Sequence, residues 1–191
     1  MYNLRVRQVG TSSDSDGGLV EKIRRGDQRA FKELFRRRYA GLCRFAYRYI
    51  PSKDEVEDIV ESVFEKLWLS RERLDPSKSI EAYLFKAVKN QALDILKGRA
   101  KDLVSLGDDR VDDSLASDPV KELINNDLAA ALSCAIERLP RKCKIVFTLS
   151  RQENLTYSEI GEILGISEKT VENQMGRAFR LLRRHLKDFI G

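Results

Sequence analysis

From Leu19 onward, apolar residues recur every three or four positions, the spacing of amphipathic helices. One apolar stripe runs from residue 30 to residue 49 and is broken at Pro51. The same spacing predicts a second helix over Asp54–Leu69 and a third from Ile80 to Gly98. No segment alternates apolar and polar residues for long enough to form a strand. We therefore predict an all-α fold.

The two later helices each have a predicted apolar face. In the second helix these positions are Val56, Ile59, Val60, Val63, Phe64, Leu67 and Trp68. In the third they are Ile80, Tyr83, Leu84, Ala87, Val88, Ile95 and Leu96. The first turn of the second helix is acidic, which suits the positive end of the helix dipole.

Composition and charge divide the chain into a tail, two domains and a linker. Residues 1–18 end in a small, polar stretch, Thr11–Gly18, and predict a disordered tail. Residues 19–99 form the first predicted domain, residues 100–120 a flexible acidic linker, and residues 121–191 a second domain whose inner face includes Leu132. Residues 21–99 hold 19 basic and 13 acidic residues (net +6), residues 100–120 hold two and six (net −4), and residues 121–191 hold 12 and nine (net +3). Two basic domains joined by an acidic linker suggest that both domains bind the same polyanion.

The second domain contains a predicted helix-turn-helix. Thr156 can cap one short helix and form a capping box with Glu159, while Ser167 can cap the next. Gly165 lies between them, where a tight turn needs backbone freedom. An ordinary helical hairpin would share these features, so the surface of the second helix decides between the two interpretations.

That surface is typical of a DNA-recognition helix. Five polar side chains are predicted to face outward near its N-terminus, namely Lys169, Thr170, Asn173, Gln174 and Arg177. Asn and Gln can pair with adenine and Arg with guanine. Arg180, Arg183 and Arg184 follow, placed for phosphates. Because no acidic residue occurs from Arg177 to Lys187, we predict DNA binding.

Other functional classes have little support in the sequence. The three cysteines are isolated, the single histidine lies in an arginine-rich run, and neither pattern predicts a metal site, a cofactor or a catalytic pair. No apolar run of about 18 residues is present, and the N-terminus lacks a secretory signal. We expect a cytoplasmic protein.

Both modules together resemble the extracytoplasmic-function (ECF) group of bacterial sigma factors. In the first module, the segments similar to the family are Gly26–Phe31, Asp58–Trp68 and Tyr83–Asn90. In the second they are Leu139-Pro140, Phe147, Leu155–Ile160, Leu164–Ser167 and Thr170-Val171. The resemblance covers roughly residues 20–188. It implies a protein that is not an enzyme, with two helical domains that recognise the −10 and −35 promoter elements.

The resemblance also implies partners and roles for particular residues. Core RNA polymerase would bind the polar face of the helix that holds Asp58, Glu61 and Glu65. Unpaired bases at the −10 element would be held by the loop Leu74–Ser79, which contains Pro76, Ser77 and Lys78, and by Asn90. Lys86 and Lys89 add positive charge near the strand's phosphates. Promoter DNA and an anti-sigma factor are the other expected partners, and an obligate homo-oligomer is not expected.

Two alternatives from other classes stay open at this point. A helix-turn-helix regulator that binds DNA alone would explain the second module and leave the first unexplained. An adaptor without DNA specificity would explain the aromatic-rich first module and leave the recognition helix without a role. Binding of promoter DNA without polymerase separates them, because a repressor binds tightly alone and a sigma factor binds poorly.

Overall fold

The computed structural model describes residues 13–106 and 127–187, and within them it contains eight α-helices and no strand. The first domain comprises α1 (Ser13–Arg24), α2 (Gln28–Ala46), α3 (Lys53–Leu69) and α4 (Ile80–Leu106), with a 3₁₀ turn at Arg71–Arg73. The second comprises α5 (Asp127–Glu137), α6 (Arg141–Arg151), α7 (Tyr157–Leu164) and α8 (Glu168–His185). The predicted all-α, two-domain fold is confirmed.

Two predicted boundaries are wrong. Residues 13–18, assigned to a disordered tail, belong to α1, which begins at Ser13. The third helix does not end at Gly98, because α4 continues to Leu106 into the predicted linker. One exposed glycine costs a helix only about 1 kcal/mol relative to alanine, and no proline follows it within α4. The remainder of the tail and of the linker lies outside the described residues.

The core of the first domain is built on aromatic side chains from three helices. Phe35 and Phe64 have ring centroids 4.7 Å apart, Phe31 lies 4.9 Å from Trp68, and Phe45 meets Phe85 edge to face at 5.2 Å. The predicted inner residues of α3 from Val56 to Leu67 are all buried. Because this face of α3 is buried in the core, the opposite face points toward solvent.

In the first turn of α4, one exposed and one buried residue differ from the prediction. Tyr83, predicted to face inward, is 43% exposed, whereas Glu81 is buried. Glu81 forms an ion pair with Arg38 of α2, and a buried carboxylate requires such a partner. Because Glu81, Leu84, Phe85 and Val88 occupy the buried arc of the helix, Tyr83 is carried to the solvent side.

The second domain packs α6, α7 and α8 around a small apolar centre. Its fully buried side chains include Cys143, Val146, Ile160, Ile163, Val171, Met175 and Ala178. Leu132 of α5, predicted to face inward, is 40% exposed. The described parts of the two domains are also in contact, because α4 of the first packs against α7 of the second.

Candidate nucleic-acid and polymerase interfaces

The helix-turn-helix forms through the local hydrogen bonds that its sequence predicts. Thr156 Oγ1 accepts from the backbone N–H of Glu159 (3.3 Å), and Glu159 Oε2 accepts from the backbone N–H of Thr156 (2.7 Å), which completes the capping box. Ser167 Oγ accepts from the N–H of Thr170 (3.2 Å) at the start of α8. Gly165 ends α7 at φ 72°, a left-handed conformation that favours glycine. These contacts fix the angle between α7 and α8.

Loss of the capping box should loosen α7. We expect Thr156→Ala to cost about 1 kcal/mol, because one N–H in the first turn loses its acceptor. In native-state hydrogen exchange, the α7 amides should exchange about fivefold faster than in the unaltered chain. Ser158→Ala, a change at an exposed position on the same turn, is the control. Equal exchange in the two variants would contradict a structural role for the box.

α8 buries one side and presents a recognition face on the other. Val171, Met175, Ala178 and Leu182 are buried, as predicted. The recognition face consists of Lys169, Asn173 and Arg177, all exposed and spaced four residues apart, so that they lie along one line of the helix. Further along, three exposed arginines extend the positive surface, namely Arg180, Arg183 and Arg184.

Three of the predicted DNA-contacting side chains have partners within the domain. Gln174 is half-buried, and its Oε1 accepts a hydrogen bond from Cys143 Sγ at 3.0 Å. The Thr170 hydroxyl shares a hydrogen bond of 2.8 Å with Ser167 Oγ. Lys169 forms a 2.6 Å ion pair with Glu172. Both side chains are exposed, so this ion pair contributes little free energy. Asn173 and Arg177 are thus the most available of the five for bases.

The loop before α4 is shaped by an aspartate. Asp75 Oδ1 accepts hydrogen bonds from the backbone N–H (3.0 Å) and the hydroxyl (2.7 Å) of Ser77, and these bonds lower the pKa of the Asp75 carboxyl. The turn leaves Ser77 and Lys78 exposed and Pro76 half-buried. The three predicted loop residues therefore lie together at the surface, next to the first turn of α4.

On α4, Lys86 and Asn90 are exposed and lie one turn apart, whereas Lys89 points elsewhere. Lys89 Nζ donates a hydrogen bond to the backbone C=O of Ile163 at the end of α7 (2.9 Å). Burial, followed by repulsion from Lys86, lowers the pKa of the Lys89 ammonium. Lys89 is therefore engaged by the second domain.

A cavity of about 700 Å³ joins the loop to the start of α4. Its lining includes Lys78 and Lys86 from the predicted set, together with Arg73 and Tyr83, which were not among the predicted site residues. It does not include Asn90. The sequence signal for Tyr83 was an aromatic ring beside two basic positions. The apolar periodicity, however, assigned this ring to the core. Arg73 carried no signal beyond its charge.

The polymerase-binding residues predicted on α3 form a continuous acidic face. Asp58, Glu61 and Glu65 are all exposed on the side opposite the buried residues of the helix. Within residues 18–100 and 131–187, none of the three takes part in an ion pair. Their charges are therefore available to a basic partner.

The described residues contain neither a metal site nor a membrane span. No cluster of His, Cys, Asp or Glu there could hold a metal ion, and no helix in that part is long and apolar enough to cross a bilayer. Cys43, Cys134 and Cys143 are free thiols. Burial raises the pKa of the Cys143 and Cys43 thiols, which keeps both protonated.

Comparisons with known families match each domain separately. Residues 34–102 match the model of sigma-70 region 2, and residues 129–182 match the model of sigma-70 region 4. The first match spans most of α2 to α4, including the acidic face and the exposed residues of α4. The second spans the helix-turn-helix.

Related proteins match over nearly the whole chain. The ECF RNA polymerase sigma factor SigE of Mycolicibacterium smegmatis is 30% identical over 179 residues, which cover 91% of this chain and 69% of SigE. SigW of Bacillus subtilis is 25% identical and covers 88% of this chain and 95% of its own. Among solved structures, CnrH in complex with the cytosolic domain of CnrY aligns with a TM-score of 0.57 at 24% identity, over 92% of this chain and 99% of that one, which supports the fold.

A helical domain of the region 2 type followed by a helix-turn-helix of the region 4 type defines a sigma factor of the sigma-70 class, a transcription initiation factor that recognises promoters. The chain belongs to the ECF RNA polymerase sigma factors.

Proposed function

We propose that the recognition face of α8 reads the −35 element. Its amide and guanidinium groups are suited to base edges in the major groove, and it lies at the N-terminal half of the second helix of a helix-turn-helix. Arg180, Arg183 and Arg184 would contact phosphates as the helix leaves the groove. The combination of this face with the buried stripe behind it is the observation that carries the proposal.

The first domain, in this proposal, holds the unpaired −10 strand. Pro76 shapes the loop, in which Ser77 and Lys78 supply polar and basic groups for it, together with Lys86, Lys89 and Asn90 of α4. An amide offers both donors and acceptors to an exposed base edge, which suits Asn90. The exposed ring of Tyr83 in the same cavity adds a flat surface on which a base can stack.

Core RNA polymerase would bind the acidic face of α3, because unpaired carboxylates on a rigid helix suit a basic surface. We assign no catalytic residue and no cofactor, and place the protein in the cytoplasm, where the polymerase works. An anti-sigma factor is a further proposed partner, since the solved RpoE of Bartonella quintana was crystallised with the anti-sigma factor NepR.

Run-off transcription with purified core enzyme tests the proposed function directly. The chain plus core should initiate at defined start sites on genomic fragments, and core alone should not. The chain without core should retard the same promoters poorly. Tight binding to DNA by the chain alone, with no transcription when core is added, would instead indicate a stand-alone regulator.

Asn90→Ala should impair melting without impairing polymerase binding. An amide that binds an unstacked base acts only after that base has left the duplex, and unstacking costs a few kcal/mol. Transcription from fully paired promoters should fall about tenfold, and transcription from templates already mismatched at −10 should fall less. Asp94→Ala, an exposed change one turn later on α4, is the control. Equal loss on both templates would contradict the proposed role.

A further inference from the structure

A buried thiol on α6 meets a polar side chain at the edge of the recognition helix. Cys143 lies in the first turn of α6 and is fully buried. Its Sγ donates a hydrogen bond of 3.0 Å to Oε1 of Gln174 on α8. The bond joins two helices that pack against each other in the second domain. The Gln174 amide is therefore attached to its own domain at one end.

The thiol is the donor in this bond. Burial, partly opposed by the charge of Arg177, raises the pKa of the Cys143 thiol, so that the sulfur carries its hydrogen at neutral pH. A thiol hydrogen needs an acceptor, and the acceptor that Gln174 offers is its amide oxygen. The amide oxygen is thereby directed toward the interior of the domain.

The amide nitrogen of Gln174 is left for an external partner. It has no hydrogen-bond partner among the described residues, and it is not a buried atom. An amide nitrogen carries two N–H donors and accepts no hydrogen bond. Gln174 therefore presents donors alone to a molecule that binds α8, whereas the exposed Asn173 presents both a donor and an acceptor.

Gln174 lies where a recognition helix meets bases. It follows Asn173 directly and precedes Arg177 by three positions, in the N-terminal half of α8. Because a helix turns by about 100° per residue, Gln174 lies at the edge of the recognition face. The exposed arginines placed for phosphates begin further along the helix, at Arg180. This position favours a base over a phosphate as the partner of the Gln174 amide nitrogen.

Guanine is the base that best matches a group with donors alone. In the major groove guanine presents two neighbouring acceptors, N7 and O6, whereas adenine has an N6–H donor beside its N7. A glutamine amide that can turn freely pairs with adenine, because it donates one hydrogen bond and accepts another. With its oxygen turned toward Cys143, the Gln174 amide would bring its N–H groups against the N6–H of adenine and leave that donor unpaired.

We propose that Gln174 reads a guanine of the −35 element through its amide N–H groups, and that Cys143 is the positioning residue that keeps the amide oxygen turned inward. This inference rests on the proposed −35 role of α8, and it adds the base that one position of that helix selects. Cys143 does not touch the DNA and acts only through Gln174.

The base preference of Gln174 can be measured with holoenzyme assembled from the chain and core polymerase. The promoter fragments carry each of the four base pairs at each −35 position. At one position the unaltered chain should favour guanine over adenine about tenfold, and Gln174→Ala should bring this ratio close to one. The ratio is independent of the fraction of protein that is folded, because both fragments are tested with the same sample. Equal weakening on every fragment, as from a phosphate contact, or an unchanged set of ratios would overturn the proposal.

Two substitutions at Cys143 test its positioning role. Cys143→Ala removes the donor, so that the amide can turn and adenine should bind within about twofold of guanine at the same position. Cys143→Ser supplies a hydroxyl donor and should retain the guanine preference. Cys134→Ala, at an exposed cysteine of α5, is the matched control and should leave every ratio unchanged. A guanine preference that persists in Cys143→Ala would show that the thiol only fills space, and would overturn the positioning role.

Asn173→Ala on the same fragments separates this inference from the proposed function. If Asn173→Ala relaxes a −35 preference and Gln174→Ala does not, α8 still reads the element and only the role of Gln174 is wrong. If neither variant changes any ratio, the −35 role of α8 fails together with the inference.

Discussion

Replacing both Asp58 and Glu61 with arginine will weaken binding of core RNA polymerase by about 100-fold. Each substitution turns an exposed carboxylate of the acidic face into a cation, and like charges brought together at an interface cost several kcal/mol. Helix stability should change little, because both positions lie on the solvent side of α3, away from its buried residues. Equilibrium titration of labelled core with the two chains measures the effect.

The control for this experiment has the same change in net charge at a different place. Glu72 and Asp94 are exposed carboxylates of the first domain that lie outside α3. Glu72→Arg combined with Asp94→Arg should leave core affinity within about twofold of the unaltered chain. If both double variants bind core equally well, α3 is not the docking helix. If both are equally weak, overall charge and not the acidic face governs binding.

The second large effect concerns the recognition face. Asn173→Ala should cost about 1–3 kcal/mol on one promoter and relax the preference at a single −35 base pair, because an amide distinguishes base edges. Arg183→Ala should weaken every promoter alike and reduce the slope of log affinity against log salt by about one, because a guanidinium on a phosphate carries no sequence information. Holoenzyme binding to a panel of single-base −35 variants at several salt concentrations measures both.

These two variants serve as controls for each other. Asn173 and Arg183 are both exposed on α8, so a general disturbance of the helix would affect them alike. If Asn173→Ala lowers the affinity of every −35 variant by one common factor, Asn173 does not read a base. If Arg183→Ala alters preference at one base pair, the helix enters the groove further along its length than proposed.

Local features of the fold could be predicted from the sequence because each depends on residues within one or two turns. The capping box of Thr156 and Glu159, the cap at Ser167 and the left-handed Gly165 each follow from side-chain chemistry over three or four positions. The buried stripe of α8 follows from helical periodicity in the same way. These features could be predicted without knowledge of distant segments.

Features that depend on distant contacts could not be predicted. Glu81 is buried because Arg38, 43 positions earlier in the sequence, meets it, and this pairing turned Tyr83 outward. Gln174 was predicted to face DNA, but Cys143 of α6 holds its amide oxygen. Lys89 is explained only by the second domain, whose Ile163 C=O accepts its hydrogen bond. Helical periodicity indicates which face of a helix is apolar. It does not indicate which polar residues of that helix have partners on other helices.

The single tryptophan of the chain gives α3 a built-in optical reporter. Trp68 lies one turn after Glu65, with its ring packed on Phe31 and with the Arg71 guanidinium 4.8 Å from the ring centroid. Indole emission depends on the polarity and charge around the ring, and all of it originates from the helix that carries the acidic face. Unfolding of the first domain in the isolated chain can therefore be followed by tryptophan fluorescence, without a dye and without tryptophan signal from the helix-turn-helix.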